Sequence, residues 1–232
     1  MNAPRSRSPR KAKGQGAERR EEILAAALSL FTEFGIYAVS TRQIAQAVGI
    51  SQPTLYAYFP TKDDIGHELQ DRAFALLAEK LAGGRGPIVD LDGVVQMLRI
   101  YVDFGLENPD MYRIAFMSEG QHVRKLRHEP KDVATAPAVQ ATYGVLRGEL
   151  AKLQALGLTV DLDIETLTQC AWSAMHGLVS LLIAKPGFPW AEREHLIASQ
   201  LHLIARGIWR PADQLAEGAD SSRGTPSSSR RI

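Results

Sequence analysis

Apolar residues recur along most of this chain at intervals of three and four, and no stretch alternates cleanly at period two, so the pattern predicts an all-α fold. Ile23, Ala27, Leu30, Phe31 and Phe34 share one stripe of a first helix over 17–34, which Gly35 stops. Short apolar sets predict a second helix at 41–48 and a third at 52–59. A fourth begins at Lys62, buries Ile65, Leu69 and Phe74, and fades in the run Gly83-Gly84-Arg85-Gly86-Pro87. A fifth is expected at 91–107. Asn108 caps and Pro109 opens a sixth, which reaches about 118. Residues 120–135 are polar and basic and read as a long loop or a short broken helix. Helices at 136–156, 164–185 and 190–208 bring the number to about nine. No internal repeat is visible.

Two tails flank these helices, at 1–16 and 211–232. Both are rich in Ser, Pro, Gly and charge and are expected to be disordered. The body between them divides into a small three-helix unit at 17–64 and a larger helical unit at 65–210.

Composition changes this picture little. Hydrophobic residues make up 45% and charged residues 23%, as in an ordinary soluble globular protein with a real core. The lone Cys170 forms no internal disulfide, which suits a reducing cytoplasm. The basic N-terminus has no apolar run behind it, unlike a secretory signal. The apolar run from Cys170 to Ala184 contains His176 and is shorter than a membrane span. A soluble, cytoplasmic chain without membrane contact is expected.

Charge is more informative. The net charge of +1 hides an excess in residues 1–62, which carry nine Lys/Arg against four acids. No carboxylate occurs between Glu33 and Asp63. A surface that faces phosphates needs such a gap, because a carboxylate there would be repelled. The basic arm at the N-terminus would add to such a surface.

Catalytic chemistry has no visible seat. The six histidines form no His-Glu-x-x-His pattern, and His195 and His202 lie seven apart without metal-ligand spacing. Gly83-Gly84-Arg85-Gly86 follows no strand and is not a phosphate loop. No cofactor and no metal are expected. An enzyme and a purely protein-binding helical adaptor stand as the competing readings.

The segment from Ser40 to Phe59 carries the function. Ser40 and Gln43 have the spacing of a capping box, which starts a helix sharply. Ile44, Ala45 and Val48 form its buried face. Gly49 permits a tight turn, Ile50 fills the angle between helices, and Ser51 caps the next helix. Pro53 falls in that helix's first turn, where a missing N–H costs nothing. Two short helices joined this way form a helix-turn-helix, whose second helix enters a major groove.

With these residues in view, the stretch from about Arg19 to Leu69 resembles the tetracycline-repressor (TetR) family of bacterial transcriptional regulators. Gly35, Ser40, Ile44-Ala45, Gly49-Ile50-Ser51, Thr54-Leu55-Tyr56, Phe59 and Lys62 supply the family's pattern in order. The resemblance implies a repressor that binds a palindromic operator as a homodimer and is released by a small molecule. It places Thr41 on a phosphate and Arg42 on a base edge, with guanine its natural partner. It places Gln52 on a base through its amide, with adenine the bidentate partner, and Pro53 on a thymine methyl. Thr54, Tyr56, Tyr58 and Lys62 would hold phosphates and set register.

The second half carries a further likeness. Trp172, His176, Gly177 and Leu178, with the run from Asn108 to Arg113, resemble a TetR subgroup named for its Trp-His-Gly signature. The helix at 164–185 is apolar nearly all round, as a helix buried on more than one side would be. With the helix at 190–208 it is expected to form a four-helix bundle with a second copy, through Leu178, Leu182, Ile197, Leu201 and Ile204. An effector pocket for a small apolar or amphipathic molecule is expected among Tyr101, Phe104, Tyr112, Phe116, Tyr143, Trp172 and His176. Taken one by one, these aromatics and this histidine fit a plain core equally well.

Overall fold

The computed structural model describes residues 16–83, 88, 90–117 and 137–210, and both tails and the 120–135 segment lie outside that set. Among the described residues the chain is helical without named strands, in the order α1 (Gly16–Phe34), α2 (Thr41–Val48), α3 (Gln52–Tyr56), α4 (Lys62–Ala82), α5 (Leu91–Glu107), α6 (Pro109–Tyr112), α7 (Pro137–Ala155), α8 (Ile164–Ala184) and α9 (Arg193–Ile208). A π-helical turn, Arg113–Met117, continues α6.

Local signals account for most boundaries. Ser40 accepts from the Gln43 amide while the Gln43 side chain accepts from the Ser40 amide at 2.8 Å, the reciprocal bonds of a capping box. Gly49 ends α2 at φ +71°, a left-handed conformation that glycine adopts without strain, and the Ile50 amide closes back on the Ala45 carbonyl at 2.9 Å. Asp163 caps α8 by accepting from the Thr166 amide at 3.0 Å.

Three boundaries differ from the periodicity. α3 stops at Tyr56 rather than Phe59: Pro60 has no N–H to offer the Tyr56 carbonyl, its ring crowds that carbonyl, and it disfavours helical geometry in Phe59. The Tyr58 amide instead bonds the Leu55 carbonyl in a tightened turn, and Phe59 swings into the core. α9 begins at Arg193, not Trp190, where the Glu192 carboxylate accepts from the Glu194 and His195 amides. Asn108 makes no capping bond to α6: its side-chain amide donates to the Phe104 carbonyl at 2.9 Å and closes the end of α5.

The described residues divide into two compact units, one within 16–80, 104–117 and 137–142 and one within 81–103 and 143–210. α4 runs unbroken through residues 64 and 65. In the first unit, α1 to α4 close over Ile23, Leu24, Ala27, Phe31, Ile44, Leu55, Phe59, Ile65 and Leu69, and Ile114 from the π-turn joins the same core. Each Ile, Leu and Phe side chain among them contributes about 1.5–3 kcal/mol on burial. The start of α4 also clasps the α1–α2 turn. A Cβ on Gly66 would come within 2.9 Å of the Ile36 side chain, so only glycine permits this approach without displacing it.

In the second unit, Leu167, Ala171, Met175, Leu178, Val179 and Ile183 give α8 a buried face, and Ile197, Leu201, Ala205 and Ile208 do so for α9. α8 is long and apolar enough to cross a membrane by length and composition, and one stripe of it is buried within the unit. Leu178, Ile197 and Leu201, expected between two copies, are therefore interior residues of one chain. Leu182 and Ile204 are half-buried. The large apolar side chains left outside on these two helices are Trp172, Leu181 and Leu203.

Candidate nucleic-acid interface

The helix-turn-helix sorts its side chains sharply. Ile44, Ala45 and Leu55 anchor α2 and α3 inside the first unit, while Arg42, Pro53, Thr54 and Tyr56 stay outside. Tyr56 is 45% exposed, a large aromatic held in solvent by the buried Leu55 beside it. Tyr58 is half-buried and packs on the core, so its ring is partly structural. Arg42 is exposed in the first turn of α2, within the stretch that lacks carboxylates.

Thr41, Gln52 and Tyr56, eleven and four residues apart in sequence, meet on one surface. Gln52 Nε2 donates to Thr41 Oγ1 at 3.0 Å and to Tyr56 Oη at 3.4 Å, and the two hydroxyls lie 3.1 Å apart. Thr54 is tied differently: its hydroxyl lies 2.7 Å from that of Ser51, and its amide donates to the same Ser51 Oγ. The hydroxyl of Thr54 thus reinforces the cap of α3.

Lys62 is tied within the chain. Its ammonium donates to the carbonyls of Ile36 at 2.7 Å and Val39 at 2.8 Å, bracing the α1–α2 turn against α4. Two of its three donors are used within the chain.

A charged seam that sequence reading passed over ties α1 to α4. Arg72 donates to Glu21 at 2.7 Å and to Glu68 at 2.9 Å, and Arg20 donates to Glu68 at 3.0 Å. The Arg20 guanidinium also lies 4.3 Å from the centre of the Phe59 ring. Arg72 holds the Glu21 carboxyl below its ordinary range, and Glu21 in turn raises Arg72. These partly exposed pairs contribute at most about 1 kcal/mol each. Only the i,i+4 spacing of Glu68 and Arg72 is visible in sequence; the partners on α1 are 48 and 51 residues away.

The expected effector residues fall into two groups. In the first unit, Phe104 and Tyr112 are fully buried, and Phe116 stacks between Tyr112 and Phe74 at 4.7 and 5.0 Å. In the second, Tyr101, Tyr143, Trp172 and His176 form a cluster with polar tips. Trp172 Nε1 donates to Tyr101 Oη at 3.2 Å, and its ring lies 6.5 Å from Tyr143 and 6.2 Å from His176. Tyr143 donates to Glu165 at 3.0 Å. Burial pushes the Tyr143 phenol up, helped by Glu165, and pushes the His176 imidazole down.

A buried-anchor, exposed-edge helix-turn-helix followed by a helical unit defines a class: helix-turn-helix transcription regulators. Two family models place the chain within it. Residues 23–69 match the bacterial regulatory proteins of the tetR family, and residues 94–204 match the tetracyclin repressor-like C-terminal domain. Together they span most of the chain, which belongs to the TetR family of transcription regulators.

Among relatives, the nucleoid occlusion factor SlmA of Haemophilus influenzae is 28% identical over 114 residues, 48% of this chain and 52% of that protein. The HTH-type transcriptional regulator RutR of Escherichia coli is 25% identical over 99 residues, 43% of this chain and 47% of that protein. The chain thus matches about half the length of these relatives. Solved structures share the fold across the chain. The TetR family regulator PfmR from Thermus thermophilus has a TM-score of 0.61 at 24% identity, covering 81% of this chain and 99% of that one. A tetR-family regulatory protein from Rhodococcus has a TM-score of 0.64 at 17% identity, covering 84% and 98%.

Proposed function

We propose that this TetR-family regulator is a repressor that binds a palindromic operator as a homodimer and releases it when a small molecule binds the second unit. One observation carries the reading: Arg42, Pro53, Thr54 and Tyr56 stand exposed on a surface whose inner side is locked by Ile44 and Leu55. In the proposed complex Arg42, Gln52 and Pro53 meet base edges, while Thr41, Thr54, Tyr56 and Tyr58 hold phosphates. The Lys62 bonds to Ile36 and Val39 favour a bracing role over a phosphate contact.

Dimerisation follows from what α8 and α9 leave uncovered. Leu181 and Leu203, 51% and 67% exposed, would be covered by a second copy, with the half-buried Leu182 and Ile204 at the margin. Such a pair would present two reading helices about 34–36 Å apart, matching successive major grooves. The proposed effector site is the cluster of Tyr101, Tyr143, Trp172 and His176, whose aromatic faces and polar tips suit an amphipathic molecule. Membership of the Trp-His-Gly subgroup is part of the same proposal, supported by Trp172, His176 and Gly177. Release by one to two decades needs about 1.4–3 kcal/mol of coupling.

Binding of the full chain to duplexes flanking its own coding region, at two salt concentrations, tests the reading. The expected result is a steep salt dependence together with a preference over random duplex. Equal affinity for both duplexes would overturn it. A thermal-shift screen of small molecules then tests the effector, since a ligand of the folded state raises Tm by mass action.

A further inference from the structure

We infer that Arg20, on α1, is a positioning residue for α3: by holding the Phe59 ring it sets how the helix of Gln52, Pro53 and Tyr56 is seated, and so tunes base preference without touching DNA. The inference rests on the proposed operator reading and adds a residue to it.

The need for such a residue comes from the size of α3. Its five residues bury one side chain, Leu55. A single apolar anchor opposes withdrawal of the helix, but hydrophobic attraction has no direction and sets tilt and rotation poorly. These are left to the segments on either side. Before α3 lies the Gly49 turn. After it lies Phe59, 2% exposed, whose amide bonds the Leu55 carbonyl at 3.0 Å. Where that ring sits bears directly on how α3 is turned.

Arg20 holds the ring from α1. Its guanidinium carbon lies over the ring, 4.3 Å from the centre, well inside the range of a cation–π contact. Nη2 donates to Glu68 at 3.0 Å, so α4 fixes the guanidinium and the guanidinium fixes the ring.

Stability explains this arginine poorly. Among the described residues its Nη1 is buried and finds no hydrogen-bond partner, which is a cost. The partly exposed pair with Glu68 returns little. What a guanidinium adds over an apolar side chain at this place is direction: a planar group that bonds a carboxylate and lies over a ring at the same time.

The test compares two arginines of one seam. Arg20→Met keeps the length of the side chain, and Glu68 keeps its bond to Arg72, so no carboxylate is stranded. Arg72→Met is the control: it cuts the seam at Glu21 and leaves Arg20 over Phe59. Both full-length variants are titrated at a temperature where calorimetry shows them folded. The probes are duplexes that the unaltered chain selects from a random pool, and random duplex, at two salt concentrations.

Arg20→Met is expected to bind the selected duplex about three- to tenfold more weakly, the size of one cation–π contact. A restraint biases the seating of a helix by no more than its own free energy. Random duplex should change by no more than about twofold, with the salt slope unaltered. The preference lost should be the one that also disappears with Gln52→Ala, while the base pair that depends on Arg42, on α2, stays selected. Arg72→Met should lower Tm and keep every preference. Should Arg20→Met fail to fold, Arg20→Lys takes its place with the same expected losses, since it carries the charge without the guanidinium plane.

A preference left intact without Arg20 overturns the inference. Equal losses on both duplexes with a salt slope shallower by about one do so too, because they mark a phosphate contact. So does an equal loss of preference in Arg72→Met, which would make the effect a general loosening of α1 from α4. If the pool yields no preferred sequence at all, the proposed operator reading itself fails.

Discussion

The ammonium of Lys62 lies 2.8 Å from the carbonyl oxygen of Val39, twenty-three residues earlier. With its second bond to Ile36 and the close seat of Gly66 one turn on, it fastens α4 to the turn that leads into the reading helices. Loss of two charge-assisted bonds in Lys62→Met should cost about 1–2 kcal/mol of stability. Calorimetry should show Tm falling by several degrees. The slope of log affinity against log salt should stay unchanged. A slope shallower by about one, with Tm unaltered, would make Lys62 a phosphate contact after all.

Arg42 and Gln52 should separate specific from general binding. Arg42→Ala or Gln52→Ala is expected to cost about 1–3 kcal/mol on a selected operator and to relax preference at one base pair. Binding to random duplex should change far less for Gln52→Ala. Anisotropy titrations with both duplexes check this, and equal losses on the two would contradict base reading.

Two leucines on α9 should behave oppositely. Leu201 is 1% exposed and Leu203 67% exposed. Leu201→Lys buries a charge in the core of the second unit and should unfold it or cost several kcal/mol. Leu203→Lys should leave Tm near that of the parent at low concentration while shifting sedimentation from dimer toward monomer. A Leu203→Lys chain that remained dimeric would move the interface off this face.

Acidification should act through His176. Burial holds its pKa below the ordinary histidine value, so the folded chain favours the neutral imidazole. As pH falls through about 6.5, the unfolded chain takes up the proton first and stability declines. The decline ends once the lowered folded pKa is passed. His176→Gln should therefore show a smaller drop in Tm between about pH 7.5 and 5.5. The carboxylates that Arg147 and Arg99 hold low, Glu165 and Glu194, lose their contribution at more acid pH and leave that window clear.

Much of the reading unit was legible before folding, because its signals are local. The Ser40–Gln43 box, the left-handed Gly49 and the Ser51 cap each act over three or four residues, and the structure has all three. Asn108 shows where such signals compete. The same amide that could cap α6 lies within reach of the Phe104 carbonyl, and the end of α5 takes it. α3 was overextended because the apolar set 55, 58 and 59 fits a helix, while Pro60 ends it for backbone reasons.

Sequence alone determined the helices, the turn between α2 and α3, and the family pattern, since capping and periodicity are short-range properties of the chain. Tertiary structure decided which faces of α8 and α9 are interior, because a helix apolar on nearly every side points nowhere in particular. It also decided what Lys62 and Gln52 do with their donors. Thr41 lies eleven residues from Gln52, and Val39 and Ile36 lie 23 and 26 residues from Lys62, and a hydrogen bond over such distances exists only once the core has brought the partners together.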